Sequence, residues 1–222
     1  MPQESTLIKN ATQLKERHRK ERDGYNSAIN LRVHRAISWL ARAEECDDLD
    51  GRFLFLWISF NCAYANDRSS SILGETKTFT DFIKKLVRLD VEKKIYNTIW
   101  QKYSGAFRLI LDNKYVFQPF WNHHNGHKSA ANWQDQFAAS QHAAHTALAN
   151  KDTATVLSVV FNRLYTLRNQ MVHGGATHNS STNRDQLRDG VNILNDLVPL
   201  VIEIMMNNHK SYWGKAGYPV VE

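Results

Sequence analysis

Apolar residues recur at the three-to-four-residue period of an α-helix along most of this chain of 222 residues. A segment with that period buries one stripe of side chains when it is helical, whereas a half-buried strand needs a period of two. We find no convincing two-residue alternation and no internal repeat in the sequence. The sequence therefore predicts an all-α protein, a bundle of about four core helices with additional helices attached.

The first two core helices are predicted in the N-terminal third of the chain. Residues 26–45 place their apolar side chains on one helical face. A second helix is expected at about residues 49–65, with Asp48 or Asp50 as its N-cap. Residues 53–60 are apolar all round, so this helix should be the central buried one. A strand is the alternative for so short a run, but the helical pattern continues beyond it without a turn signal.

The other two core helices are predicted in the C-terminal third. One runs to His173 with Asp152 or Thr153 as its N-cap. The last spans about residues 184–208, with a kink expected at Pro199. Residues 5–22 are predicted as a charged helix that is either exposed or docked, and residues 66–78 as a loop. Two short amphipathic helices are predicted at residues 82–87 and 95–111. An insertion at residues 112–132 and an Ala-rich helix at residues 133–150 follow. The aromatic residues of the insertion are expected to pin it to the core.

These elements define one helical domain at residues 25–210, with a charged arm at 1–24 and a tail at 211–222. The net charge of +6 mildly favours anionic partners such as RNA. Cys46 and Cys62 have no metal-ligand spacing, so free thiols are expected. The N-terminus lacks the layout of a signal peptide, and the longest apolar run is too short to span a bilayer. We therefore expect a cytoplasmic protein that does not enter a membrane.

A small polar cluster ends the third core helix. Arg168, Asn169 and His173 lie within about one and a half helical turns, and two glycines follow directly. The spacing Arg-Asn-x-x-x-His resembles the signature of the HEPN superfamily, whose active members are metal-independent RNases. The predicted N-terminal helix pair also looks like this superfamily. The resemblance covers most of residues 25–208 apart from the insertion and implies a HEPN-like helical bundle.

Each residue of the motif has a type that RNA cleavage requires. Attack of the ribose 2′-hydroxyl on the adjacent phosphate needs a base for the hydroxyl proton and a fixed cation to offset the growing phosphoryl charge. The imidazole of His173 is suited to the first task, and the planar guanidinium of Arg168 to the second. Asn169 would orient the imidazole or bind the phosphate. No metal or cofactor is needed, because the nucleophile belongs to the substrate.

The resemblance also implies partners. In such proteins two subunits usually pair so that both Arg/His sets line one cleft, and some act as toxins or anti-phage nucleases that a partner neutralises. A homodimer that binds RNA is therefore expected, with an antitoxin or a nucleotidyltransferase-type protein as a further partner. Asn162, Tyr165 and His178 are candidate auxiliary contacts to RNA, and an exposed loop histidine is the alternative for His178.

The helix that carries the motif has a second face that favours a dimer. Its apolar stripe should face the core. The opposite face is polar but almost uncharged, unlike a helix face exposed only to water, and comprises Ser158, Asn162, Tyr165, Asn169 and His173. Such a face is typical of contact with another polar surface, either a partner subunit or a ligand. Two alternatives stay open: the motif serves only the fold, or the protein is a non-catalytic HEPN-like dimerisation module.

Two other clusters carry basic side chains. The insertion contains three closely spaced histidines, which are candidates for zinc because imidazoles are common zinc ligands. These three, His123, His124 and His127, lack a matching cysteine or carboxylate, so a solvated loop is expected. A metal site would need further ligands from the next helix, where His142 and His145 lie three residues apart. The basic run at residues 15–22 is interrupted by two glutamates and is expected to be a solvated helix face or an RNA-contacting arm.

Overall fold

The structure, a computed structural model, describes residues 8–65, 72–218 and 220. Within those ranges the chain forms ten α-helices joined by short 3₁₀ and π segments and contains no β-strand, so the all-α prediction is confirmed. The helices are α1 Ala11–Glu21, α2 Ser27–Glu44, α3 Leu49–Tyr64, α4 Ile72–Leu89, α5 Lys94–Thr98, α6 Ser104–Leu111, α7 Gln118–His124, α8 Trp133–Ala149, α9 Thr153–Val172 and α10 Arg184–Asn207.

Side-chain caps begin the core helices close to the predicted positions. Asn26, Asp48 and Asp152 each accept a hydrogen bond from a backbone N–H in the first turn of α2, α3 and α9, at 3.1, 2.7 and 3.1 Å. These bonds satisfy N–H groups that have no partner within the helix. α10 continues through Pro199. Among the described residues, no helix combines the length and the apolar character that crossing a lipid bilayer requires.

α3 and α10 form the centre of the bundle. α3 packs against α2 and α10, and α10 also contacts α1, α2, α4, α5 and α6. Phe53 and Phe60 of α3 are almost fully buried, as predicted, but Leu54 and Phe55 are only half-buried. α10 is the more completely enclosed helix, since every residue from 197 to 206 is buried. The centre is therefore shared by two helices rather than provided by α3 alone.

α1 is docked on the bundle rather than exposed. It packs against α2 and α10, and the Ala11 backbone N–H donates to the Glu44 carboxylate of α2 at 2.9 Å. Just before the helix, Lys9 pairs with Glu203 of α10. Glu203 is 4% exposed and also pairs with Lys94 at the start of α5, at 3.3 Å.

The predicted loop at residues 66–78 is wrong over its second half. Residues 66–71 lie outside the described ranges, but α4 begins at Ile72. The local sequence contains Gly74 and other weak helix formers, which argue against a helix on propensity alone. Tertiary packing overrides this preference, because α4 packs on α9 and α3 through a buried apolar stripe. The stripe comprises Phe79, Phe82, Ile83 and Leu86.

The single helix predicted at residues 95–111 is divided by a π-helical segment, Ile99–Tyr103, that separates α5 from α6. The buried side chains here follow one another at a spacing of four: Ile95, Ile99, Tyr103 and Phe107. On a regular α-helix each such step drifts by about 40° around the axis. A π turn holds more residues than an α turn, so it keeps the four side chains facing the core.

The insertion is ordered, but its aromatic side chains pack mainly on α8 instead of the core. The Phe120 ring lies 5.0 Å from Trp133 of α8, and the Phe117 ring lies 5.2 Å from Phe137 of the same helix. Val116, which is 1% exposed, is the insertion residue that joins the main core. The aromatic residues therefore form a separate cluster between the insertion and α8.

Arg163 of α9 completes this aromatic cluster. It is 3% exposed, and its guanidinium carbon lies 4.3 Å from the ring centre of Phe117 and 5.4 Å from that of Phe137. One Nη donates to the hydroxyl of Ser140 on α8 at 3.0 Å. Burial lowers the pKa of Arg163 to about 10, because an apolar environment disfavours the charged form.

The C-terminal segment, residues 211–218, is fastened across the bundle. Trp213 is buried. Arg32, which is 1% exposed, donates to the Lys215 carbonyl at 2.7 Å. Arg35 donates to two further carbonyls of the segment, at 2.9 and 2.7 Å. Side chains of α2 therefore hold the segment by its backbone.

Candidate functional site

The end of α9 is a Schellman motif that presents His173. Gly174 adopts a positive φ of 71°, a conformation that favours glycine. The Gly174 N–H donates to the Met171 carbonyl at 3.3 Å, and the Gly175 N–H donates to the Gln170 carbonyl at 2.6 Å. These two bonds satisfy carbonyls that the helix leaves unpaired. His173 therefore occupies a defined C-cap position, as the glycine stop predicted.

Arg168 and Asn169 contact each other. The Arg168 Nη1 donates to the Asn169 Oδ1 at 3.0 Å, and both side chains are half-buried. Within the described ranges no carboxylate lies at ion-pair distance from Arg168. Asn169 thus orients the guanidinium of Arg168, whereas the sequence analysis predicts that Asn169 orients the imidazole or binds the phosphate. The remaining N–H groups of Arg168 can still donate to an anion.

His173 is exposed, and its imidazole makes no hydrogen bond or ion pair with any residue that the structure describes. Five positions along an α-helix correspond to a rotation of about 140°, so Arg168 and His173 point to different sides of α9. One chain therefore brings the two side chains to the same helix end without bringing them into contact. The arginine and the imidazole both remain available to a ligand.

The predicted polar face of α9 is covered along its first half. Ser158 is buried, and its hydroxyl donates to the Ala154 carbonyl at 2.8 Å. Asn162 and Tyr165 are half-buried, and the Tyr165 ring lies 6.1 Å from Trp57 of α3. Tyr165 thus packs against the aromatic core. Asn169 is half-buried as well, and His173 is the one exposed residue of this face.

Gln170, which sequence reasoning missed, fixes the helix end from two sides. Its side-chain Nε2 donates to the carbonyl of Tyr115 in the insertion at 2.6 Å. Its Oε1 accepts from the Asn183 side chain, immediately before α10, at 3.0 Å. No sequence signal identifies this role, because the partners lie 55 and 13 residues away along the chain, on segments that only the folded protein brings near. The insertion therefore supports the motif directly.

His178 lies against the start of α3. Its Nε2 is 3.8 Å from the Asp48 carboxylate, and ligand atoms of His178, Asp48 and Asp50 lie within 4.8 Å of one another. Among the described residues this is the group whose side-chain types and spacing could hold a metal ion. Both carboxylates already have partners, since Asp48 caps α3 and Asp50 pairs with Arg184 at 2.9 Å. His178 therefore belongs to this polar cluster at the start of α3.

The sequence predicts a solvated loop for the three histidines of the insertion, but two of them lie in α7. His123 and His124 are exposed on this helix, and the His124 ring lies 4.1 Å from the Phe120 ring. His145 of α8 pairs instead with Asp112 at 3.0 Å. His123 and His124 therefore lie beside each other, with ring centres 5.4 Å apart, whereas His145 has a different neighbour.

The comparisons with known proteins are negative. No family model, curated protein or solved structure matches this chain. The case for a function therefore depends on the geometry at the end of α9 and on the motif itself.

Proposed function

We propose that this protein binds RNA and cleaves it without a metal, as a homodimer whose active site forms at the end of α9. The observation that carries the proposal is that Arg168 and His173 lie at the same helix end, with no carboxylate at ion-pair distance from the guanidinium and no hydrogen bond to the imidazole among the described residues. If Arg168 formed a surface ion pair, or if the His173 side chain capped the helix, these groups would already have partners. Their availability favours a phosphate ligand.

In the proposed reaction the ribose 2′-oxygen forms a bond to phosphorus while the bond to the 5′-oxygen breaks. His173 accepts the 2′-hydroxyl proton, and an imidazolium returns a proton to the departing 5′-oxygen. Arg168, oriented by Asn169, donates to the phosphoryl oxygens as their charge grows. The products are a 2′,3′-cyclic phosphate and a free 5′-hydroxyl. The reaction changes no oxidation state, and the proposed steps use no metal.

A second copy of the chain would complete the site. The entering and departing oxygens lie on opposite sides of the phosphorus, so a single imidazole serves both poorly. Pairing two α9 ends about a two-fold axis would supply two imidazoles and two guanidinium groups. Val172, an apolar residue that is 50% exposed beside His173, is suited to such a contact.

The test is cleavage of a mixed-sequence RNA in the presence of EDTA. We expect the wild-type protein to be active and His173→Ala to lose about 100- to 10,000-fold in rate, as removal of a general base does. His142→Ala, which removes an exposed imidazole from α8, is the matched control and should cut like wild type. Equal cleavage by wild type and His173→Ala would remove His173 from the mechanism.

A non-catalytic dimerisation module is the second candidate, and the Arg168–Asn169 hydrogen bond favours it because part of the guanidinium is already satisfied within the chain. Light scattering together with the cleavage assay distinguishes the two functions. A dimer with no RNA cleavage supports the module, and a monomer contradicts both. Toxicity on expression that His173→Ala relieves would support a toxin or defence role, with an antitoxin as the expected partner.

A further inference from the structure

A cavity of about 730 Å³ opens between α1, α2 and the C-terminal segment. Its lining residues come from those three elements, from Arg22 directly after α1 and from Val220, so it is distinct from the candidate site at the end of α9. Pockets that hold small molecules measure roughly 300–1,000 Å³. The cavity is therefore large enough for an organic ligand and far larger than a single inorganic ion requires.

The charge of the cavity wall is positive. Arg22, directly after α1, and Lys215 from the C-terminal segment line it, and none of the described lining residues carries a carboxylate. In the described part of the chain neither side chain forms an ion pair. Two cations in one cavity without counter-charges among the described residues favour a ligand that carries two negative charges.

Two imidazoles add to this wall. His18 of α1 is 4% exposed, and its Nε2 is buried without a hydrogen-bond partner among the described residues. The His34 ring of α2 lies 6.2 Å away. Burial lowers the pKa of His18, a hydrogen bond with the Asn30 side chain raises it less strongly, and the charges of His34 and Arg22 lower it further. An anion in the cavity would oppose this repulsion.

The first turn of α2 also faces the cavity. Ser27 and Ala28, the first two residues of this 18-residue helix, line it. The Asn26 side chain caps the N–H of Ile29, so the two earlier N–H groups have no partner within the helix. Free N–H groups and the positive end of the helix dipole favour phosphate oxygens.

The wall that the C-terminal segment forms is in place before a ligand binds. Lys215 is held by the Arg32 hydrogen bond to its carbonyl, and Arg35 fixes the residues that follow. A wall fixed before binding loses little conformational entropy when a ligand arrives. The apolar side chain of Leu31 lines the same cavity and would cover the uncharged part of a ligand.

We propose that this cavity is a binding site for a small phosphomonoester. Arg22, Lys215 and the first turn of α2 bind the phosphate, and the surface around Leu31 covers the organic group. A phosphomonoester combines the charge of nearly −2 that the two cations require with the bulk that the volume requires. This inference does not depend on the RNase proposal, since it uses none of its residues.

The experiment is titration calorimetry on the full chain with ribose 5-phosphate, AMP and glycerol 3-phosphate. Ribose and inorganic phosphate test the two halves of the ligand separately. At least one ester should bind more tightly than inorganic phosphate, and ribose should not bind. Arg22→Gln and Lys215→Gln should each weaken that binding about tenfold. Arg19→Gln, at an exposed α1 position outside the cavity lining, is the matched control and should bind like wild type.

Two results would overturn the proposal: no binding by any of the three esters, or equal binding by wild type and both cavity variants. Arg22 and Lys215 are exposed, so their replacement should leave the thermal unfolding midpoint unchanged. Inorganic phosphate that binds as tightly as every ester would contradict the role of the organic group.

Discussion

Arg163 is a buried cation that ring faces stabilise in place of a carboxylate. Its guanidinium lies over Phe117 and near Phe137, and no carboxylate lies at ion-pair distance within the described ranges. A planar guanidinium can stack on aromatic faces and donate from its edge at the same time. The side chain thereby connects α9 to both the insertion and α8.

Replacement of Arg163 by lysine should destabilise the protein even though the charge is kept. An ammonium cannot stack on the ring and reach the Ser140 hydroxyl together, so we expect the free energy of unfolding to fall by about 1–3 kcal/mol. Urea denaturation measures the change. Arg188→Lys is the control, because Arg188 forms an exposed pair with Asp185 on α10, and its cost should stay below about 0.5 kcal/mol. Equal costs at the two positions would contradict the stacking role.

At the level of single residues, the sequence shows which side chains are present and how they are spaced, but not which residues they contact. The motif and its glycine stop are evident in the sequence, and the C-cap position of His173 is confirmed. The contacts of Gln170 are not evident there, because they join α9 to segments that only the folded chain brings near. The burial of Arg163 escapes prediction for the same reason.

α10 packs closely on its neighbours at Gly190. A Cβ at this position would lie 2.9 Å from the Leu164 Cδ2 of α9 and 3.1 Å from a ring carbon of Phe53 of α3. A real Cβ atom essentially never has a neighbour as near as the Leu164 methyl would be. The missing side chain therefore lets three helices meet at one point.

Gly190→Ala should lower the free energy of unfolding by about 1–3 kcal/mol, because overpacking outweighs the gain in helix propensity. Gly105→Ala is the matched control. Gly105 is exposed on α6, and a Cβ added there would have no neighbour within 4 Å, so alanine should be neutral or stabilise by up to about 1 kcal/mol. Thermal and urea unfolding measure both changes. A stabilised Gly190→Ala protein would show that the contact is not tight.

At the level of helices, periodicity succeeds where one stripe of apolar residues follows the α-helical repeat. α2, α3, α9 and α10 are predicted to within a few residues for this reason. The start of α4 and the π segment are not, because the repeat within one segment does not report packing between distant segments, such as α4 on α9 or the Tyr103 hydroxyl on Asp196 of α10. The HEPN-like arrangement of the bundle stays a prediction.

For the whole molecule, Glu203 joins segments from the beginning, middle and end of the described chain. It pairs with Lys9 before α1 and with Lys94 at the start of α5, while it sits on α10 itself. Burial alone would raise the pKa of Glu203, but its bonds and attraction to the two lysines outweigh burial and lower it. The ionised carboxylate therefore stabilises the fold.

The stability of the protein should fall in acid partly through Glu203. Because its folded pKa is lowered, its contribution is complete above the ordinary glutamate range and is lost as the pH falls through the folded pKa. We expect Glu203→Gln to cost about 1–3 kcal/mol at pH 7 and to flatten the decline between about pH 5 and 3. Urea unfolding across this range measures both effects. Glu16→Gln, at an exposed position of α1, should keep the wild-type decline.

The enclosure of α10 has a consequence for how the chain is made. This helix follows the other nine in chain order, yet six of them pack around it or beside it. During synthesis on a ribosome, the earlier helices emerge with their inner faces uncovered, and the core cannot close until α10 has left the exit tunnel. Until that point the nascent chain should depend on chaperones that shield apolar surface.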